Sequence, residues 1–222
     1  MLTIDPALRE SLSATPILTR DHVSALTSAP AADVRRWTTG ANPAVQRGVR
    51  TGWTPYTVSF AGLLEADLLH MLTQMPHMTA RSASSVMRRL RAEHGPMVLI
   101  EHPTLVTDGK DVFLADDDDY VRVRDSQRAF AKVLERYTRR LIVEGDRVQA
   151  YRPERLSVAS VDPLFNGGGL SLTTSRVPVS SIAGMLLAGE PAEAVAKDYQ
   201  VPVEEVRAVE RDLDWAWRAS AA

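Results

Sequence analysis

Apolar residues recur at helical spacing in short runs, and glycine, proline or a turn pair closes each run. That punctuation leaves small helical units as the building blocks. It is clearest near the C-terminus. Ile182, Met185, Leu186 and Leu187 mark one helix, which Gly189 stops. Ala192, Val195, Ala196 and Tyr199 follow Pro191 as a second helix, and Gln200-Val201-Pro202 turns the chain. Val206, Val209, Leu213 and Trp217 then lie on the buried stripe of a third helix expected from Val203 to about Trp217. A strand is expected in front, over Leu170–Thr173. The reading is a trihelical helix-turn-helix.

The amino-terminal third has a related outline. Thr19 is an expected N-cap, and Val23 and Leu26 give a short helix its apolar face. Thr27-Ser28-Ala29 makes a turn and Pro30 suits a first helical position. Val34 and Trp37 share the buried side of the second helix, so Arg35 and Arg36 point elsewhere. A helix, a three-residue turn and a second helix with arginines form a helix-turn-helix unit. Residues 38–55 read as a loop or wing carrying Arg47 and Arg50. Phe60, Leu63, Leu64, Leu68, Leu69 and Leu72 mark a core helix. A further helix, capped by Ser82 or Ser84, buries Val86, Met87 and Leu90 and exposes Arg88, Arg89 and Arg91.

Between these units, Gly95-Pro96 ends a helix. MVLIEH, TLVT and DVFLA over residues 97–114 read as short strands with an Asp108-Gly109 turn. Ser126–Arg140 shows helical spacing, and LIVE–GD–RVQAY (141–151) reads as a hairpin. Residues 152–169 read as irregular. The expected organisation is mainly α with short β hairpins, an α+β chain. It comprises a winged helix-turn-helix (1–95), a middle hairpin and helix segment (96–151) and a C-terminal trihelical helix-turn-helix (152–222).

Charge is informative only by segment. The whole chain has 26 basic and 28 acidic residues. Residues 19–100 hold nine arginines against five acids, whereas residues 101–222 hold 16 basic against 21 acidic side chains. A basic reading end joined to an acidic remainder implies two kinds of partner. The last helix opposes Glu204, Glu205, Glu210, Asp212 and Asp214 to only Arg207 and Arg211, so it repels phosphate.

Catalytic constellations are not apparent, and the chain reads as no enzyme, with no cofactor and no metal. Cysteine is absent, which removes disulfides, thiolate zinc sites and cysteine nucleophiles. The five histidines lack zinc spacing on a helix, and no Gly-x-Ser-x-Gly elbow occurs. Asn166-Gly167-Gly168-Gly169 precedes a strand rather than a helix and no lysine follows, unlike a phosphate loop. Asp116–Asp119 lacks the spaced carboxylates of a calcium loop and reads as a solvated turn. Trp37 and Trp217 are expected in the core, and Trp53 on the surface. The N-terminus lacks a basic region and an apolar run of signal-peptide length, and no run suits a membrane span, so a cytoplasmic location is expected.

The order TRDHVSALTSAPAADVRRW, loop, YTVSFAGLLEADLLHML, ASSVMRRLRAEHG resembles the winged helix-turn-helix of MerR-type regulators. The resemblance puts Arg35 and Arg36 on the recognition helix and Arg47 and Arg50 in the wing. Arg20, at the first helix's start, completes the candidate DNA-binding set. Farther on, several fixed spacings resemble the C-terminal domain of bacterial VapB-type antitoxins. They are Asp162-Pro163, Gly167, Arg176-Val177-Pro178-Val179, Gly189, Glu193, Val195-Ala196, Asp198-Tyr199, and Val206 with Ala208. This chain departs in having Gly168-Gly169-Leu170 where a Gly-x-Pro is usual. The resemblance implies an antitoxin that binds a PIN-type ribonuclease toxin and, as a homodimer on operator DNA, represses its own operon. The alternatives are a stand-alone MerR-like regulator whose C-terminal region senses a ligand or partner, and an interaction domain without DNA binding.

Overall fold

Thr19 starts the first helix for a local reason: its side chain accepts a hydrogen bond from the His22 backbone N–H (3.1 Å). The computed structural model describes residue 11 and residues 13–48, 55–75, 78–101 and 132–220. Strand β1 (Pro16–Leu18) leads into α1 (Arg20–Thr27) and then α2 (Ala31–Trp37). The turn between them needs a left-handed residue, and Ser28 supplies it at φ 62° without being glycine. Hydroxyls brace it: Ser24 Oγ donates to the Ala29 carbonyl (2.6 Å), and Thr27 Oγ1 accepts from the Ala29 N–H (3.3 Å). Val23, Leu26, Val34 and Trp37 are buried as their spacing predicts.

β2 (Val58–Ser59) pairs antiparallel with β1 and runs straight into α3 (Phe60–Thr73), where Ser59 caps the Gly62 N–H. All six apolar residues expected to mark that core helix are fully buried. α4 (Ala80–His94) starts earlier than expected, because Thr79 rather than Ser82 or Ser84 caps it by accepting from the Ser82 N–H. The expected strand at MVLIEH is instead one helical turn, α5 (Val98–Glu101). Gly95 at φ 91° and Pro96 reverse the chain, and the Met97 carbonyl accepts from both Ile100 and Glu101. A short, fully buried apolar run has no period that separates strand from helix. The expected strands TLVT and DVFLA, with Asp108-Gly109 and Asp116–Asp119, lie outside the described residues, as do the first residues of the expected helix at Ser126–Arg140. Residues 132–138 of that helix are helical.

β3 (Leu141–Glu144) and β4 (Arg147–Tyr151) form the expected hairpin around Gly145-Asp146. The sheet continues antiparallel in the order β3-β4-β5-β6. β5 (Ala159–Val161) lies inside the segment expected to be irregular, and β6 (Leu170–Leu172) is the strand expected there. All three residues of β5 are buried, so it shows no alternation to read. Because Tyr151 pairs with Val161, one sheet joins the two sides of the expected boundary at 151/152.

Four helices follow: α6 (Val179–Leu187), α7 (Ala192–Tyr199), α8 (Val203–Arg211) and α9 (Leu213–Ser220). The third expected helix is thus broken. Asp212 leaves the helical region at φ −125°, and its carboxylate accepts from Arg155 Nε (2.8 Å) and an Arg155 terminal nitrogen (2.6 Å). The break changes the phase of everything after it. Trp215 is buried, donating from Nε1 to the Ala25 carbonyl of α1 (3.0 Å), while Trp217 faces out, contrary to its expected place in the core. Buried apolar residues from Leu18 to Ala219 form one cluster, in a mixed α+β fold with two small antiparallel sheets.

Candidate nucleic-acid interface

Four of the arginines expected to meet DNA, Arg20, Arg35, Arg36 and Arg47, lie on α2 or are tied to its end. Arg35 and Arg36 are exposed on it, and so are Ala31 and Ala32 in its first turn. Arg20 and Arg35 line one open cleft of about 540 Å³ with Asp21, Ala31, Ala32, Pro55 and Thr57. Arg20 also donates from Nε to Thr38 Oγ1 (2.8 Å), tying the start of α1 to the end of α2. Arg36 reaches Asp33 one turn back (2.7 Å) on a side-chain surface open to solvent. Such pairs contribute little to stability and exchange readily for another anion. Arg47 is exposed, and a terminal nitrogen donates to the Gly40 carbonyl (3.3 Å), just past α2. Arg50 and Trp53 lie outside the described residues.

What holds the Arg47 loop is less visible in the sequence. Its residue Gln46 donates a backbone N–H to the buried Glu65 carboxylate of α3 (2.6 Å). Arg91 of α4 stands against the other Glu65 oxygen (3.5 Å) and donates to the Pro43 and Ala44 carbonyls (2.9 and 3.0 Å). Arg88 donates from Nε to the Asn42 carbonyl (3.0 Å). Arg91, expected on the surface, is therefore largely buried, and Arg88 and Arg91 both clamp this loop through its carbonyls. Close approach completes the seat. A methyl at Gly62 would stand 2.4 Å from the Gln46 carbonyl oxygen, and one at Gly48 2.4 Å from the Pro16 nitrogen.

Burial pushes the Glu65 carboxyl up to about 7 from 4.5, against the opposing pull of Arg91 and the Gln46 N–H. The folded state then binds more protons than the unfolded one between those values. Stability from this group is full below about 4.5 and lost as pH rises through about 7. Glu65→Gln keeps an acceptor for Gln46 and removes the titration. The wild-type melting temperature is expected to fall relative to Glu65→Gln between pH about 5 and 8; parallel curves over that range would count against this role.

A second polar cluster lies under the carboxyl end of α1. Asp67 of α3 is fully buried and accepts from Arg140 (2.5 Å). Arg140 also pairs with Glu154 and donates to Tyr151 Oη (3.3 Å), whose hydroxyl donates in turn to the Leu26 carbonyl (3.3 Å). Burial raises the Asp67 carboxyl to about 7 despite Arg140. Hydrogen bonding to Arg136 holds Glu154 below its usual range.

The motif positions at the C-terminal end also meet. Asp162, buried, pairs with Arg176 (3.3 Å) and accepts from the Leu164 N–H (3.0 Å). The Arg176 guanidinium lies 4.2 Å from the centre of the Phe165 ring. Asp162 and Arg176 thus close the turn that leads from β6 into α6. Among the described residues, no group of three or more His, Asp or Glu is placed to hold a metal ion. No helix among them is long and apolar enough to cross a membrane.

Comparison with known proteins places this end of the chain. Residues 160–210, which include the Asp162–Arg176 pair and α6 through most of α8, match a family described as a protein of unknown function (DUF433). A crystal structure of Rv2018 from Mycobacterium tuberculosis is similar over 88% of this chain and 98% of that one, with a TM-score of 0.71 at 22% identity. That likeness supports the fold across both ends of the molecule and speaks to the fold alone. No curated protein matches the chain.

Proposed function

We propose that this chain is the antitoxin of a type II toxin–antitoxin system. It neutralises a PIN-type ribonuclease toxin by direct binding and represses its own operon as a cytoplasmic homodimer on operator DNA. In this reading β1 to α4 act as a winged helix-turn-helix and α6 to α9 derive from a second one. The observation that carries DNA binding is that Arg20, Arg35, Arg36 and Arg47 lie on the exposed face of α2 or are tied to its end. The small side chains of Ala31 and Ala32 let that face approach a groove, and the arginines neutralise phosphates on either side. The toxin half rests on the spacing pattern from Asp162 to Ala208 and on the acidity of the C-terminal helices. Glu204 and Glu210 are exposed on α8, which therefore suits a basic protein better than a nucleic acid.

Fluorescence anisotropy with labelled DNA from upstream of this gene tests the first half. Arg35→Ala with Arg36→Ala is expected to weaken binding by about 10–100-fold and to flatten the plot of log affinity against log salt by about 2. Unchanged affinity would remove α2 as the reader. Co-expression with the adjacent reading frame tests the second half: the antitoxin rescues growth from that product. Operator binding without rescue favours the stand-alone regulator.

A further inference from the structure

The break at Asp212 turns Trp217 outward, and it does not stand alone. A methyl placed at Gly184 of α6 would sit 3.7 Å from the ring carbon Cζ3 of Trp217, so the indole lies across α6 at its least bulky position. Leu187 is one turn farther along the same face of α6. Leu187 is 50% exposed and Trp217 41%, the two large apolar side chains that α6 to α9 leave most open. Leu213, one turn before Trp217, is half-buried and extends the apolar surface along α9.

The rim of this ridge is acidic. Glu190 follows Leu187 past the end of α6, Asp214 lies one turn before Trp217, and both are exposed. Of the five cations between Arg176 and Ser220, three have partners, and Lys197 and Arg211 are exposed. Arg218 lines a separate cleft with Thr19 and Ser28 and donates from Nε to the Asp214 carbonyl (3.1 Å). Arg207 pairs with Glu193 (2.5 Å), and Arg176 is held by Asp162 and Phe165. From Arg176 to Ser220 the chain has eight acidic and five basic residues.

We propose that the Leu187–Trp217 ridge is the docking surface for a basic protein partner, whose apolar side chains cover the ridge while its cations meet Glu190 and Asp214. Tryptophan beside a small-residue groove is the composition of an interface anchor, and the acidic rim sets the partner's charge. The same rim argues against a second copy. A two-fold contact on this ridge puts two acidic rims into one interface, where the added negative charge is costly. This assignment rests on the antitoxin reading, in which the partner is the ribonuclease. Such an enzyme needs basic surface to hold RNA.

The test uses the full-length chain and, as probe, the purified product of the adjacent gene, titrated by calorimetry. Leu187→Ser with Trp217→Ser is expected to lose about 30-fold or more in affinity. Glu190→Lys with Asp214→Lys changes only exposed side chains, so it does not rely on the packing of α9. It is expected to lose about 10-fold, with the loss shrinking at high salt. Operator binding by both variants stays at the wild-type level. If every form binds the probe equally, the ridge assignment is wrong and the antitoxin reading stands. If the wild type does not bind the probe, that reading fails and takes the ridge's occupant with it. A wild-type dimer that the serine variant dissociates in sedimentation would show that a second copy covers the ridge, which also overturns the proposal.

Discussion

Arg140→Met is expected to destabilise the fold, and by about 1–1.4 kcal/mol more near pH 8 than near pH 5, because the buried Asp67 carboxylate loses its counter-charge. Asp67 has no exposure to water, and Arg140 is its partner at 2.5 Å. Methionine fills much of the volume, so the loss reports charge rather than a cavity. The sign with pH follows from the same group. Burial already holds the Asp67 carboxyl at about 7, above its ordinary 3.8. Its contribution to stability is full below about 3.8 and falls as pH rises through about 7. Removing Arg140 pushes that value higher, so at pH about 5 the acid is already neutral and the loss shrinks. Adding Asp67→Asn to Arg140→Met restores part of the stability near pH 8. Urea titrations at both pH values, in single and double variants, give the answer. An equal loss at both would falsify the charge argument.

Gly62→Ala addresses the seat of the Arg47 loop. In a helix the change from glycine to alanine ordinarily stabilises by about 1 kcal/mol. Here the new methyl meets the Gln46 carbonyl oxygen at 2.4 Å and Val58 Cγ1 at 2.8 Å. The carbonyl is backbone and its peptide neighbour is tied to Glu65, so the loop must move as a unit. A net loss of about 1–3 kcal/mol is expected, and under the proposed function operator affinity falls too because Arg47 moves with the loop. Gly184→Ala is the control, since its methyl finds only an ordinary contact at 3.7 Å. It is expected to leave stability unchanged or raise it by up to about 1 kcal/mol. If the two substitutions behave alike, close approach at Gly62 is not what seats the loop.

Much of the local structure is legible in single residues. Thr19 caps α1 through its own hydroxyl, Val23, Leu26, Val34 and Trp37 place the first two helices on a core, and Gly145-Asp146 turns the hairpin. The exposed arginines of α2 follow from the same spacing, because a residue between two buried neighbours three apart points outward. Other features have no such signature. β5 is short and wholly buried, and so are the three apolar residues of α5, so neither shows a period. Trp217 faces outward and not into the expected core because one non-helical residue, Asp212, advances the phase of the helix after it. The tie that bends the chain there is Arg155, 57 residues earlier.

The sequence by itself determined where helices begin, which of their faces turn inward and which end of the chain is basic. Each depends on neighbours within a turn or two, and those are written in order. The tertiary structure decided the roles of the charged residues. Arg88 and Arg91 clamp a loop while Arg35 and Arg36 stay open to solvent, although all four lie on amphipathic helices. Glu65 and Asp67, indistinguishable in the sequence from surface acids, are buried because Arg91 and Arg140 reach them from other elements. A buried charge survives only beside its partner, and for Asp67 that partner is 73 residues away.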